Sequence, residues 1–155
     1  MNFWLLKTEP NTFSIWDLEK LNNQTTCWEG IRNYQARNLM RDQIKINDQV
    51  FIYHSVIETV GIFGIGEIVS QAYPDPFQFE VKSKYYDPKA KLEKPIWLAV
   101  DVKLKQILPE PIALKKLKTY KENELQNMGL LKKGNRLSIQ PVSESEWNFI
   151  LGLRN

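Results

Sequence analysis

The densest concentration of chemically capable side chains runs from Cys27 to Arg37, Cys-Trp-Glu-Gly-Ile-Arg-Asn-Tyr-Gln-Ala-Arg. Trp28, Gly30, Arg32, Asn33, Tyr34 and Gln35 offer a stacking plane, a pliable backbone and several hydrogen-bond donors, which suits a planar polar ligand such as a nucleobase. Tryptophan is largely buried in most proteins, so the competing reading is that Trp28 plugs the core beneath a loop. Tyr53-His54-Ser55 ends an apolar run, and strand ends commonly open onto binding sites. The single histidine could serve as a general base near neutral pH. Ser55 is its adjacent hydroxyl, but neighbouring strand residues point to opposite faces, which argues against a hydrolase triad and for a structural histidine. Lys7-Thr8 ends another apolar run, where a lysine must snorkel, pair or meet a ligand. Glu67, also a charge in apolar surroundings, is the bland partner for Lys7 in a buried ion pair.

Composition removes several classes of chemistry. One Cys and one His in 155 residues exclude an intramolecular disulfide and fall short of the ligands a zinc site requires, so no metal and no zinc-based deamination is expected. No Gly-rich phosphate loop follows a strand, and no organic cofactor is expected. No apolar segment approaches the ~20 residues of a membrane span and no basic leader precedes the first apolar run, which reads as a cytoplasmic protein, not a membrane protein. The net charge of +3 is unevenly spread: residues 1–81 hold 6 Lys/Arg against 10 Asp/Glu, and residues 82–155 hold 15 against 8. The second half could face phosphates through Lys115, Lys116, Lys118, Lys121, Lys132, Lys133 and Arg136, or simply present a solvated face.

These residues need a scaffold. The length suits a single domain over 1–155. Phe3–Thr8, Gln49–Ser55, Val60–Val69, Ile96–Leu104 and Leu137–Val142 read as strands. Ser14 with Asp17, and Ser143 with Glu146, read as capping boxes that start helices. Tyr34–Asp42, Ala113–Tyr120 and Glu122–Met128 read as further helices, residues 22–33 as loop, Tyr73-Pro-Asp-Pro76 as a turn and residues 77–95 as a long loop. Strands outnumber long helices without regular alternation, so the fold class is α+β, a strongly bent small sheet or barrel, and a doubly wound nucleotide fold is disfavoured.

Six segments, in order along nearly the whole chain, carry a resemblance: Phe3-Trp-Leu-Leu-Lys-Thr-Glu-Pro10, Trp28 to Arg37, Tyr53-His-Ser55, Ala72-Tyr-Pro-Asp-Pro76, Tyr85-Tyr-Asp-Pro-Lys89, and Arg136-Leu-Ser-Ile-Gln-Pro-Val142 followed by Trp147. Together they resemble the EVE domain family. The resemblance implies a PUA-like fold, a bent β-barrel flanked by short helices and akin to YTH domains, and a monomer that reads a modified base in DNA or RNA. It implies that Trp28 is the stacking wall, that Lys7-Thr8 borders the pocket, and that Ser55 with the following Gly61 and Gly64 strand is its second wall; with a base stacked on Trp28, Lys7, Asn33 and Ser55 are expected to hydrogen-bond its edge. With Gly30, Arg32, Tyr34, Tyr53, His54, Ser138 and Gln140, the residues Lys7, Thr8, Trp28, Asn33 and Ser55 form the expected ligand-binding set. The chain departs from the family's common pattern at Thr8, Glu29, Ile31 and Gly66, and the last could deepen the pocket. The enzymatic alternative is an ASCH-like hydrolase of acylated or otherwise modified nucleosides, with Lys7, Thr8 and Glu67 as its catalytic set.

Overall fold

Apolar side chains on both faces of the early strands decide the architecture. In the computed structural model, which describes residues 1–154, strand β1 (Phe3–Thr8) sends Trp4 and Leu6 to one core and Leu5 to another. Strand β3 (Gln49–His54) repeats the division, with Val50 and Ile52 on the first side and Phe51 and Tyr53 on the second. A sheet buried on both faces needs near-continuous apolar strands and a cover on each side. Helices α1 (Ile15–Lys20) and α2 (Tyr34–Asp42) contribute Ile15, Leu18, Ala36 and Met40 to the first core. Helices α3 (Leu114–Lys118) and α4 (Glu144–Leu151) contribute Leu117, Trp147 and Ile150 to the second, where Trp147 stacks on Phe51 at 3.8 Å. Both expected capping boxes are present, Ser14 with Asp17 and Ser143 with Glu146.

Strands β2 (Thr25–Trp28), β4 (Gly61–Ile68), β5 (Tyr73–Pro74), β6 (Leu98–Ala113) and β7 (Ile139–Val142) complete a mixed seven-stranded sheet. Its order is β2-β6-β4-β3-β1-β7, with β5 on β6; β1 and β3 are parallel and the other pairs antiparallel. The α+β class stands as expected, but the sheet is not closed into a barrel: β2 and β7 are the two ends of the pairing path. Bending is concentrated where β6 meets β4. The register jumps from Gly64↔Ile107 to Ile62↔Ile112, which leaves Pro109 and Pro111 in a bulge where no ladder N–H is demanded of them.

Three local readings change. Residues 25–28 form a strand, not loop, because they pair with Val100–Lys103 of β6. The β6 strand runs nine residues beyond Leu104, its prolines absorbed by the bulge. Glu122–Met128 is a series of turns, not a helix, with Leu125 and Met128 anchored in the second core.

Candidate functional site

The unclosed sheet leaves a seam, and a cavity occupies it. Thr26, Cys27 and Trp28 from β2, at one end of the pairing path, line the same cavity as Lys7 and Thr8 from β1 and Ser138 just before β7, at the other end. Its volume is about 310 Å³, the lower end of the roughly 300–1,000 Å³ of small-ligand sites. Trp28 is only 6% exposed and belongs to the first core, as the core-plug reading expects, and its remaining surface lines the cavity. Phe13 meets its ring edge-on at 6.2 Å. Phe13 is held there because the Thr8 hydroxyl donates to its carbonyl (2.7 Å) and its own N–H donates to the Glu9 carbonyl (2.9 Å), closing the turn after β1.

The other wall is a loop that arrives from far along the chain. Gly30 adopts φ +85°, and a Cβ there would lie 2.6 Å from the Tyr85 ring, so only glycine lets Tyr85 and Lys84 come down over the cavity. Asp75, fully buried, ties the two segments together: it accepts from the Gly30 N–H (2.9 Å), from Arg32 Nη1 (2.9 Å) and from the Phe77 N–H (2.8 Å). Arg32 in turn donates through Nε and Nη2 to the Tyr85 carbonyl at 3.1 and 2.7 Å. Buried Gln78 fastens the same loop to the start of β6, donating to the carbonyls of Asp75 and Trp97 and accepting from the N–H groups of Ile96 and Trp97.

Charges around the cavity are tuned chiefly by burial. The Glu29 carboxyl is held above its ordinary range by burial and, in smaller part, by nearby Asp75. Burial pushes the Cys27 thiol up to about 11, so at neutral pH it is a protonated wall and not a nucleophile. The Lys7 ammonium is lowered by burial; it rests 5.8 Å from the Tyr53 ring, on the face that carries Leu5.

Comparison with known proteins converges on one family. The family model of the EVE domain matches residues 2–153. The chain belongs to the EVE domain family. Thymocyte nuclear protein 1 of Mus musculus is 42% identical over 98% of this chain and 73% of its own length. A crystal structure from Pseudomonas syringae superposes with a TM-score of 0.92 at 43% identity, covering 99% of both chains. The crystal structure of human THYN1 protein in complex with DNA containing 5-methylcytosine superposes with a TM-score of 0.93 at 41% identity, covering 99% of this chain and 97% of that one. The expected PUA-like class holds with the open sheet described above.

In this EVE domain the expected binding set divides. Lys7, Thr8, Trp28, Gly30 and Ser138 line the cavity, joined by Thr12, Phe13, Glu29, Lys84 and Tyr85, which were not expected from the sequence. Arg32 is engaged with Asp75 and Tyr85 as a brace. Asn33 is the N-cap of α2, its side chain accepting from the Ala36 N–H at 3.0 Å. Tyr34 lies on the surface, 57% exposed, packed on Trp97 and under the Arg37 guanidinium. Tyr53 packs in the second core; His54 is wholly buried, accepts from the Ile15 N–H through Nε2 and stacks on Phe63. Ser55 donates its backbone N–H to the Thr8 carbonyl, and buried Gln140 donates to the Leu137 carbonyl. Gly66 is packed against Val50 and Val102 inside the sheet and deepens no pocket.

The hydrolase set is not assembled. Glu67 pairs with Gln49 at the Phe3 end of β1, four residues along the sheet from Lys7, and its carboxylate meets Lys105 at 3.5 Å. The Lys7–Glu67 ion pair is therefore absent for the same reason. Among the described residues no group of three or more His, Cys, Asp or Glu could hold a metal ion, and no helix is long and apolar enough to cross a membrane.

These placements redirect one expectation. Asn33→Ala is expected to cost about 1 kcal/mol of stability through loss of the helix cap, and to leave base preference unchanged. Denaturant titration together with binding isotherms checks this; a changed preference at unchanged stability would restore Asn33 to the site.

Proposed function

We propose that this EVE domain binds DNA carrying a modified base, of the 5-methylcytosine kind, and seats that base in the cavity at the open seam of the sheet. The observation that carries this reading is the human relative crystallised with 5-methylcytosine-containing DNA, which shares the fold over nearly the full chain. The cavity supports it chemically. An aromatic wall at Trp28 gives a base a surface to stack on, and Phe13 and Ile31 add apolar surface suited to a methyl group. Thr8, Thr12, Thr26 and Ser138 supply hydroxyls around the rim and walls. Recognition by stacking in a pocket requires the base to leave the helix, which costs a few kcal/mol that the pocket must return.

The test is fluorescence anisotropy with matched duplexes bearing one 5-methylcytosine or one cytosine, and with the corresponding RNA. The methylated DNA is expected to bind most tightly. Trp28→Ala is expected to weaken binding by about 1–3 kcal/mol, the usual worth of base stacking. Because Trp28 is also a core residue, Ser138→Phe, which adds bulk at the cavity wall, provides a second variant and is expected to weaken binding with the fold retained. Unchanged affinity in a folded Ser138→Phe protein would place the base elsewhere.

A further inference from the structure

A pocket that recognises only the methyl group of 5-methylcytosine faces a competitor with the same methyl. Thymine has the same ring and the same 5-methyl substituent; it differs at position 4, where a carbonyl acceptor replaces the amino donor, and at N3, which carries a proton. Contacts from Phe13, Ile31 or Trp28 cannot separate the two. A polar group in the wall must read position 4.

Resting on the binding reading above, we infer that Glu29 is the residue that selects an amino-bearing base over thymine, by accepting a hydrogen bond from the exocyclic amino group. Four observations carry this. Glu29 follows Trp28 directly and lines the same cavity, so it stands beside the stacking wall. Among the described residues its carboxylate makes no hydrogen bond or ion pair with another side chain, its backbone N–H donates to the Cys27 carbonyl at 3.1 Å, and Lys84 and Arg32 act on it only through longer-range attraction. The neighbouring carboxylate, Asp75, is by contrast fully occupied by Gly30, Arg32 and Phe77. The residue is half-buried, and a partly desolvated acceptor without a partner favours a ligand that brings a donor.

A carboxylate accepts from the N4 amino group of cytosine, whereas the O4 of thymine in the same pose would set two acceptors against each other. Burial already holds the Glu29 carboxyl above its ordinary range, so a donor at this point offsets part of the desolvation cost.

The experiment compares the affinity of the full chain for two duplexes that differ at one position, 5-methylcytosine paired with guanine or thymine paired with adenine, for the native protein, Glu29→Gln and Ser138→Phe. An amide carries both a donor and an acceptor, so Glu29→Gln can serve either base. The cost of opening each base pair is a property of the DNA and cancels when the preference of the variant is divided by that of the native protein. The native protein is expected to prefer 5-methylcytosine, and Glu29→Gln to reduce that preference about tenfold or more, while melting temperatures stay together.

A Glu29→Gln protein that keeps the full preference, with Ser138→Phe weakened toward both duplexes, overturns the assignment of Glu29 and leaves the pocket in place. A native protein with no preference for 5-methylcytosine over thymine overturns it too. Binding that neither substitution alters overturns the pocket reading, and this inference with it.

Discussion

Replacing Asp75 by Ala is expected to cost about 3–5 kcal/mol of folding stability, the usual penalty for removing one partner of a buried ion pair. Asp75 is fully buried, and each bond it accepts comes from a donor in or beside the cavity wall: the Gly30 N–H, Arg32 Nη1 and the Phe77 N–H. Alanine would leave two backbone N–H groups and a guanidinium edge without their acceptor. Arg32 is itself only partly exposed, with a side chain 22% accessible, so water relieves it incompletely. For a chain of this size each kcal/mol moves the melting temperature by roughly 2–4 °C, so the variant should melt roughly 6–20 °C below the native protein. Because Asp75 also positions Gly30 beneath the Tyr85 ring, the DNA binding proposed above should weaken at temperatures where the variant is still folded. A melting temperature within 2 °C or so of the native value would show that the brace contributes little.

The second large effect is a loss of stability as the pH falls through the range in which His54 would ordinarily protonate. Burial lowers the His54 pKa from 6.5 to about 4, against a small opposing contribution from nearby Asp17. The geometry agrees, since Nε2 is occupied as the acceptor for the Ile15 N–H at the start of α1, while Nδ1 has no hydrogen-bond partner, and the ring is closed in by Phe63 and the edge of Trp16. Above pH 6.5 the imidazole is neutral in both the folded and the unfolded chain and makes no contribution to pH dependence. Between 6.5 and about 4 the unfolded chain takes up a proton that the folded chain refuses, so stability falls with pH, by a total on the order of 3 kcal/mol. His54→Gln can offer Oε1 to the Ile15 N–H without a titrating group, and should flatten this part of the profile. Denaturant midpoints for both proteins between pH 7 and 4 provide the measurement, and the difference between the curves cancels the carboxylates. Parallel curves would mean that His54 is not the group responsible.

Much of the local structure was legible because its causes are local. Ser14 with Asp17 and Ser143 with Glu146 satisfy exposed helix N–H groups by side chains three residues apart, and the apolar runs of β1, β3 and β4 announce buried strands whatever surrounds them. The ordered motifs across the chain identified the family, and with it the PUA-like fold. They could not show what each polar side chain does. Asn33 sits in a segment that looks like a ligand loop, but it meets the local demand of the unpaired N–H groups at the start of α2, and its side-chain oxygen is consumed there. His54 ends a strand, where solvent is the default expectation, yet α1 folds over it and turns a candidate base into a buried acceptor. Strand β2 was hidden because four residues carry little signal of their own and become a strand only through β6, more than seventy residues away.

The sequence by itself therefore determined the elements whose hydrogen bonds close within a few residues, the two-faced apolar patterning of the sheet, and the residue types available for recognition. Tertiary structure alone decided that the sheet stops short of closure, so that β2 and the β1–β7 edge line one cavity from opposite ends of the pairing path. It also decided that Asp75 and Arg32 brace that cavity while Glu29 is left with an open acceptor. The physical reason is that a side chain's role depends on which partners have already satisfied it. Those partners are set by register, bulges and sheet curvature, sums over contacts distant in the chain that no local window contains.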